Sequence, residues 1–297
     1  MSTDFTYVDA TGIAELIRTG KASSAEVVQA HLDRIENVNP KTNAVVTLAD
    51  GALDAARAAD ERLAAGAEVG PLHGVPVTVK DGFDTAGVLT QRGSPIFAGR
   101  IPDTDATAVA RLKRAGAILL AKTNLPEFSY WVESDNLLTG ATNNPWDLNR
   151  SSGGSSGGES AAIAAGMSPL GLGSDLSISV RGPAADTGIA AIKATHGRIP
   201  MTGSGRGSRA VTGTPVPWPA PSVTSHWRTR CWPVLTALTA SRCSRPSSTL
   251  AWAPHRTGPS VSAGWSTRDS ARSTPRSRQL CSRPPTLCRG RGFGSSR

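Results

Sequence analysis

The sequence predicts an α/β fold over residues 1–203, with helices layered on a partly parallel sheet, and an irregular or disordered tail over residues 204–297. Along the first segment, helical and strand-like patterns alternate, which is typical of layered α/β domains. The second segment is dominated by Ser, Pro, Thr and Arg, has few aliphatic residues and shows no hydrophobic period. Such a composition does not predict a hydrophobic core.

The elements of the first segment follow from local patterns. Ser23 and Glu26 match a capping box, and apolar residues at helical spacing follow them. An Ala-rich helix is predicted over 51–65 and ends at Gly66, because glycine commonly terminates helices. The remaining patterns predict strands at 44–48, 75–80, 117–121 and 170–173, helices at 107–114 and 160–165, and a polar loop at 149–158.

The two segments also differ in charge and in cysteine content. Residues 1–203 carry 17 basic and 22 acidic residues and no cysteine, whereas residues 204–297 carry 15 Arg, the single acid Asp269 and all four cysteines. The isoelectric point near 10.0 therefore reflects the tail. Neither a signal-peptide pattern nor an apolar run of transmembrane length occurs, and a cysteine-free domain suits a reducing compartment. We therefore expect a cytoplasmic protein without a membrane partner.

Three residues in unusual local sequences carry the functional prediction. Lys80 follows Val-Pro-Val-Thr-Val, Ser155 lies in Gly-Gly-Ser-Ser-Gly-Gly, and Ser179 lies in Gly-Ser-Asp-Leu-Ser-Ile-Ser-Val-Arg. A neutral lysine can act as a base toward serine hydroxyls, so the three residues can form a nucleophilic relay without histidine. Taken singly, each motif has an ordinary interpretation: a solvated lysine at a strand end, a flexible linker and a polar residue in a turn.

Other motif interpretations compete with the relay. Residues 153–157 fit the G-x-S-x-G nucleophile elbow of α/β-hydrolases, which requires an apolar strand immediately before it. The preceding residues, Asn-Pro-Trp-Asp-Leu-Asn-Arg-Ser-Ser, do not predict such a strand. A phosphate-binding loop fails because no Gly-Lys-Ser/Thr follows the glycines. His73 and His196 stand apart from any acid and nucleophile, and we interpret both as structural.

Together with four further segments, these motifs resemble the amidase signature family over about residues 8–203. The segments are Pro71-Leu-His-Gly-Val-Pro-Val-Thr-Val-Lys80-Asp, Ala121-Lys-Thr-Asn-Leu-Pro-Glu127-Phe, Asn144-Pro-Trp-Asp and Lys193-Ala-Thr-His-Gly-Arg198. The resemblance implies an α/β/α sandwich around a mixed sheet, here incomplete. It also implies hydrolysis of a small-molecule carboxamide to a carboxylate and ammonia or an amine, with no metal and no organic cofactor, and a homodimer in full-length relatives.

The same resemblance implies a role for each site residue. Ser179 would be the nucleophile that forms an acyl-enzyme, Ser155 would pass its proton on, and Lys80 would be the base. The backbone N–H groups of the oxyanion hole would come from Leu176, Ser177, Ile178 and Ser179. The supporting residues would be Asp81 and Arg181, as ion-paired side chains, and Gly154 and Ser156, with a cis peptide bond between Gly154 and Ser155.

One local departure from the family pattern affects the oxyanion loop. Many family members carry Gly-Gly-Ser-Ile-Arg where this chain has Ser177-Ile-Ser-Val-Arg181. A β-branched residue at position 178 would be strained if the backbone there were left-handed.

The resemblance ends near Gly203. Read one base out of frame, the codons that can encode residues 204–223 permit Gly-Pro-Met-Ala-Arg-Ser-Val, which resembles the segment that follows in the family. We therefore predict that residues 204–297 are translated out of frame and that the chain is a truncated form of an amidase, inactive or unstable, without a nucleic-acid partner. The alternatives are a glutaminase-type subunit of a tRNA-dependent amidotransferase and a non-catalytic protein whose basic tail binds nucleic acid.

Overall fold

A computed structural model of the 297-residue chain describes residues 4–204 in full and residues 210–215 as backbone. The helices are α1 (Ala10–Arg18), α2 (Ser24–Thr42), α3 (Ala52–Ala64), α4 (Thr107–Arg114), α5 (Gly157–Ala164) and α6 (Arg181–Thr187). The strands are β1 (Val45–Leu48), β2 (Pro76–Lys80), β3 (Ile118–Thr123), β4 (Asn143–Asn144), β5 (Asp147–Ser151), β6 (Gly171–Ser174), β7 (Ile189–Lys193) and β8 (Ala210–Pro215). None of the helices in the described ranges is both long and apolar enough to cross a membrane.

Every strand and helix predicted before residue 175 is present, with ends shifted by at most three residues. The capping box at the start of α2 is complete: the Glu26 N–H donates to Ser23 Oγ (3.1 Å) and the Ser23 N–H donates to Glu26 Oε2 (2.8 Å). The unpredicted helices and strands are α1, the small β4–β5 sheet, α6, β7 and β8. Strand β5 lies partly within the predicted polar loop, and all of its residues are exposed. It is therefore not the buried apolar strand that a nucleophile elbow requires.

The main sheet has six strands in the order β1-β3-β2-β6-β8-β7, and it is mixed. Strand β2 lies between β3 and β6 and is parallel to both. Strand β1 is antiparallel to β3, and β8 is antiparallel to both β6 and β7. This arrangement confirms the predicted α/β fold with a mixed sheet. Because β2 and β6 are parallel neighbours, the segments that follow them leave the sheet at the same edge.

The core is divided between the two faces of the sheet, and β2 contributes differently to each face. Val77 and Val79 pack in one hydrophobic cluster with residues of α1 and α4. The alternate residues, Thr78 and Lys80, form hydrogen bonds with residues at or near the start of α5 on the other face. All five residues of β2 are buried. The period of two in a strand thus places a lysine inside the protein on the face covered by α5.

Strand β8 lies within the segment for which the sequence predicts no regular structure. Its backbone pairs with residues 171–174 of β6 and with residues 189–193 of β7. Its sequence, Ala-Val-Thr-Gly-Thr-Pro, contains three residues of the β-branched types that are common in strands. Residues 205–209 and 216–297, and with them most of the predicted out-of-frame tail, lie outside the described residues. The nucleotide sequence of codons 200–206 tests the predicted change of frame.

Replacing Gly158 by alanine is expected to destabilise the fold by about 1–3 kcal/mol. A Cβ atom there would lie 2.4 Å from the Asn124 backbone nitrogen and 2.8 Å from the Ala44 carbonyl oxygen, and neither backbone can move freely. Gly182→Ala is the matched control, because its Cβ would meet only the Ile178 side chain, at 3.2 Å. Chemical denaturation of both variants measures the difference. Equal free energies of unfolding would show that α5 does not pack closely on these backbones.

Candidate active site

Lys80 ends β2 and lies completely buried among three serine hydroxyls. Its Nζ atom is 2.7 Å from Ser155 Oγ and 3.0 Å from both Ser156 Oγ and Ser174 Oγ. Ser155 and Ser156 immediately precede α5, and Ser174 ends β6. The end of β2 therefore lies next to the end of its parallel neighbour β6 and next to the start of α5.

Burial controls the charge state of Lys80. Removal from water lowers the pKa of its ammonium well below the ordinary lysine value, and the charges of Glu159 and Asp175 oppose that shift. A buried amine surrounded mainly by hydroxyl groups is therefore more easily deprotonated than a lysine on the surface. A lysine can act as a base only as the neutral amine, and the lowered pKa favours that form.

The glycine-rich segment before α5 turns tightly beside Lys80. The peptide bond between Gly154 and Ser155 is cis, as the family resemblance implies. A Cβ atom on Gly154 would lie 2.6 Å from the Val132 carbonyl carbon and from the Glu133 backbone nitrogen. Because glycine has no Cβ, the segment at 132–133 can pass directly against the residue that precedes Ser155. Ser155 itself is almost fully buried.

Ser179 lies beside this segment through a backbone contact. The Ser156 N–H donates to the Ser179 carbonyl oxygen (2.9 Å), which ties the loop after β6 to the start of α5. Ser179 is half-buried. Within the described ranges its hydroxyl forms no hydrogen bond, so Ser155 contacts Lys80 directly and Ser179 adjoins them without a bond between the two hydroxyls. Catalytic hydrogen bonds are often long in the absence of substrate.

An ion pair closes the loop that carries Ser179. Arg181 Nε donates to Asp175 Oδ2 (2.9 Å), and Arg181 Nη2 donates to Asp175 Oδ1 (3.1 Å) and to the Ser177 carbonyl oxygen. Burial acts to raise the pKa of the Asp175 carboxyl, but the hydrogen bonds from Arg181 and from backbone N–H groups hold it below its ordinary value. This single ion pair thereby links the two ends of the loop, Asp175 and Arg181.

The backbone N–H groups inside this loop are available to a ligand. Among the described residues, none accepts a hydrogen bond from the N–H of Leu176, Ser177, Ile178 or Ser179. Left-handed backbone in the same ranges occurs, outside glycine, only at Asn43, Arg92, Phe128 and Ser129. The backbone at Ile178 is therefore not left-handed. The strain that a β-branched residue would have in a left-handed conformation is absent there.

Among the described residues, the Asp81 side chain contacts the backbone at 91–92 and Lys122, and none of the three serines. Its Oδ2 accepts from the backbone N–H groups of Gln91 (2.9 Å) and Arg92 (2.8 Å), and its Oδ1 lies 3.6 Å from Lys122 Nζ. Lys122 is also buried, and that burial lowers its pKa to about 8 despite the charge of Asp81. Burial raises the pKa of the Asp81 carboxyl against the charge of Lys122. Asp81 thus supports the adjoining loop and does not contact the relay residues.

The sequence does not identify four polar residues that act on Lys80, on the Ser179 loop or on Asp81: Glu159, Ser174, Asp175 and Lys122. Glu159 carried a usable signal, because it is an acid in a helix otherwise made of Gly, Ser, Ala and Ile. Ser174 and Asp175 lie within the quoted motif of Ser179, but no local pattern assigns them a contact with Lys80 or with Arg181. From the sequence alone, Lys122 resembles a solvated lysine. Its burial becomes evident only once β3 is known to lie between β1 and β2 in the sheet.

Large exposed apolar side chains occur in two of the segments that contact this site. Leu176 and Ile178 lie in the Ser179 loop, and Tyr130 and Trp131 lie just before the segment that packs on Gly154. Exposed apolar side chains that cluster near polar reactive groups are typical of a ligand-binding surface.

Comparison with known proteins identifies similar sequences. A family model described as Amidase matches residues 26–213. The chain is 49% identical over 196 residues to a glutamyl-tRNA(Gln) amidotransferase subunit from Salinispora arenicola (strain CNS-205), an alignment that covers 66% of this chain and 40% of that protein. It is 48% identical over 192 residues to indoleacetamide hydrolase of Bradyrhizobium diazoefficiens, covering 64% of this chain and 37% of that protein.

Solved structures share the fold. The structure of 6-aminohexanoate cyclic dimer hydrolase is 33% identical and superimposes with a TM-score of 0.68, covering 82% of this chain and 48% of that one. The chain therefore spans about two fifths of the length of the curated relatives it matches and about half the length of this solved structure.

Proposed function

The chain belongs to the amidase family, and from this we propose that its described residues form the site of an enzyme that hydrolyses a carboxamide through an acyl-enzyme on Ser179, with Ser155 and Lys80 as the proton relay. The loss of activity through truncation, predicted from the tail, is a separate prediction that the hydrolysis and labelling assays below also test. The observation that carries the proposal is the contact between Lys80 Nζ and Ser155 Oγ, 2.7 Å apart in a buried site. Burial favours the neutral amine, and a neutral amine can accept a proton from a serine hydroxyl.

The proposed reaction begins with attack of Ser179 Oγ on the carbonyl carbon of the amide. The Ser179 proton passes to Ser155 Oγ as the Ser155 proton passes to Lys80 Nζ, so an ammonium forms on Lys80. The negative charge on the carbonyl oxygen is stabilised by the unpaired N–H groups of residues 176–179, each donor contributing about 3–4 kcal/mol to transition-state stabilisation.

Collapse of the tetrahedral intermediate breaks the carbon–nitrogen bond. The proton returns from Lys80 through Ser155 to the departing nitrogen, which leaves as ammonia or an amine, and Ser179 remains as an ester. Water then attacks the ester carbonyl while the same relay accepts its proton. That proton returns through Ser155 to Ser179 Oγ as the ester bond breaks, which regenerates the Ser179 hydroxyl and leaves Lys80 neutral again. The carboxylic acid product then becomes a carboxylate by losing its proton to the released ammonia or amine or to water.

The surroundings of the site favour an amide with an apolar acyl group. Leu176 and Ile178 expose about half of their surface beside Ser179, and Trp131 exposes 65% of its surface near Gly154. A ligand that covers such side chains gains the free energy of removing apolar surface from water. A charged, polar substrate such as glutamine gains no comparable contribution from these side chains.

We expect phenylacetamide or hexanamide to be hydrolysed with a kcat/KM about 10–100-fold above that for glutamine. Ammonia release measures both rates. Trp131→Ala should lower kcat/KM for phenylacetamide about tenfold and leave acetamide unaffected. Trp146→Ala, which removes the other tryptophan of the described residues, is the control and should change neither. Faster hydrolysis of glutamine than of both apolar amides would contradict the substrate assignment.

A glutaminase-type subunit of an amidotransferase is the second candidate function. The observation that supports it is the 49% identity to the Salinispora amidotransferase subunit. The identity to indoleacetamide hydrolase is 48%, so the two relatives are equally similar to this chain. Such a subunit would require partner proteins. Glutamine hydrolysis that appears only in the presence of such partners, together with a stable complex on co-purification, would favour it over the independent amidase.

A further inference from the structure

Glu159 is a buried acid beside the proposed relay, and the reaction described above assigns it no step. It lies in the first turn of α5, in a helix otherwise composed of Gly, Ser, Ala and Ile. Thr78 Oγ1 donates to Glu159 Oε1, and Thr123 Oγ1 donates to Glu159 Oε2 (2.7 Å). Burying a carboxyl group is costly unless its oxygens are hydrogen-bonded, and here both oxygens have a hydroxyl donor.

The two threonines place this carboxyl group next to Lys80. Thr78 lies two residues before Lys80 on β2, so both side chains point to the same face of the sheet. Thr123 is paired with Lys80 across the β2–β3 ladder, on that same face. Positions i and i+2 of a strand are about 7 Å apart, so the carboxyl group and the amine are near neighbours inside the protein.

The sheet also leaves room for the acid. A Cβ atom on Gly171 would lie 1.8 Å from Glu159 Oε1, so any side chain on that residue of β6 would displace the carboxyl group. Gly171 pairs with Thr78 in the sheet. Strands β2 and β3 therefore each contribute a hydroxyl donor to Glu159. Their neighbour β6 contributes a glycine, which leaves space for the carboxyl group.

We propose that Glu159 is a positioning residue whose carboxylate supplies the negative charge against which Lys80 takes up its proton. This inference rests on the proposed relay, in which each acylation leaves an ammonium on a fully buried amine. An isolated buried ammonium is strongly disfavoured, and a fixed carboxylate nearby offsets that cost. Asp175, the other acid that acts on Lys80, is already bound in two hydrogen bonds to Arg181.

The electrostatics of the neighbouring groups agree with this role. Burial raises the pKa of Glu159 to about 7, opposed by the two threonine hydroxyls and by the charges of Lys80 and Lys122. In the opposite sense, burial lowers the pKa of Lys80, and the charges of Glu159 and Asp175 raise it. Removing the charge of Glu159 should therefore lower the pKa of Lys80 further. Lys80 is then a weaker base, but its amine remains neutral down to a lower pH than in wild type.

A titration of Lys80 in the full-length chain tests the inference without requiring activity. The chain has six lysines, so their Cε signals can be resolved by ¹³C NMR, and the spectrum of Lys80→Met assigns Lys80. We expect the pKa of Lys80 to fall in Glu159→Gln relative to wild type. Glu36→Gln, at an exposed acid on α2, is the control and should leave it unchanged. An unchanged or raised pKa of Lys80 in Glu159→Gln would overturn the inference.

Covalent labelling by a fluorophosphonate across pH provides the second readout. Glu159→Gln should label at least about tenfold more slowly than wild type at the pH optimum. The acid limb of its pH profile should move to lower pH, since the base with the lower pKa remains neutral further into the acid range. A lower rate with an unmoved acid limb would indicate a merely structural role and would overturn the inference.

A second variant covers the case in which Glu159→Gln does not fold. Thr78→Val keeps the acid but removes one donor to its carboxylate, so the pKa of Glu159 rises and its charge appears only at higher pH. Labelling should then be reduced at pH 7 and approach the wild-type rate at pH 9, whereas a reduction independent of pH contradicts the proposal. Absence of labelling in wild type rejects the relay itself, while the titration of Lys80 still decides whether Glu159 acts on the amine.

Discussion

Ser179→Ala is expected to abolish covalent labelling by a fluorophosphonate and to lower amide hydrolysis by about 10⁴-fold or more. The reason is that the variant lacks the only oxygen in this loop that the proposed reaction uses to form the acyl-enzyme. Ser155 remains in contact with Lys80, but it is almost fully buried. The loop backbone is retained, because its ion pair between Asp175 and Arg181 does not involve the Ser179 side chain.

Ser177→Ala is the matched control for this experiment. Ser177 lies in the same loop, is more exposed than Ser179, and contributes its backbone to the contact with Arg181. It should therefore label at close to the wild-type rate. Mass spectrometry of the labelled chain identifies the modified residue. Equal labelling of wild type and Ser179→Ala, or loss of labelling in Ser177→Ala alone, would reject Ser179 as the nucleophile.

Lys80→Met is expected to lower the labelling rate by about 10²–10⁴-fold, the usual contribution of a general base. Methionine fills a similar volume without a charge, so the cost to stability is limited to the hydrogen bonds that the three serine hydroxyls lose, about 1–3 kcal/mol. The variant should therefore remain folded while its Ser179 becomes unreactive. Labelling kinetics combined with chemical denaturation measure the two effects separately.

Lys122→Met is the contrasting variant, since Lys122 is the other buried lysine of the described residues. Its removal leaves the buried carboxyl of Asp81 without its cation, which should cost about 3–5 kcal/mol of stability. Lys122 does not contact the serines of the relay, so the folded fraction should label at nearly the wild-type rate. If Lys122→Met lost labelling and Lys80→Met did not, the base would have been assigned to the wrong lysine.

Much of the site could be predicted from the sequence because its parts lie in short, distinctive motifs. An apolar run that ends in lysine predicts a buried strand with Lys80 at its end, and the Ser- and Gly-rich segment around Ser155 predicts a polar loop before a helix. The sequence predicts ion pairs for both Asp81 and Arg181, and both residues form them. Their partners, Lys122 and Asp175, could be named only once the strands and the loop had been placed.

Elements without a strong local pattern were missed. Helix α6 has seven residues and contains a glycine and a proline, so its helical period is too short to recognise. The β4–β5 sheet is polar, its strand β5 is exposed throughout, and no alternation of apolar residues marks it. Strand β8 is stabilised by backbone pairing with β6 and β7, which local sequence does not reveal.

The sequence by itself determined the α/β class, the strand that ends in Lys80 and the two serine-bearing loops, because hydrophobic period and glycine placement act over a few residues. Only the tertiary structure decided that Lys80 meets Ser155 rather than solvent, and that Glu159 lies on the same face of the sheet. Those contacts join residues about 80 positions apart, and they arise from the order of strands in the sheet. Burial, which changes the proton affinity of the amine and of the carboxyl group, is a property of that packing and not of any single motif.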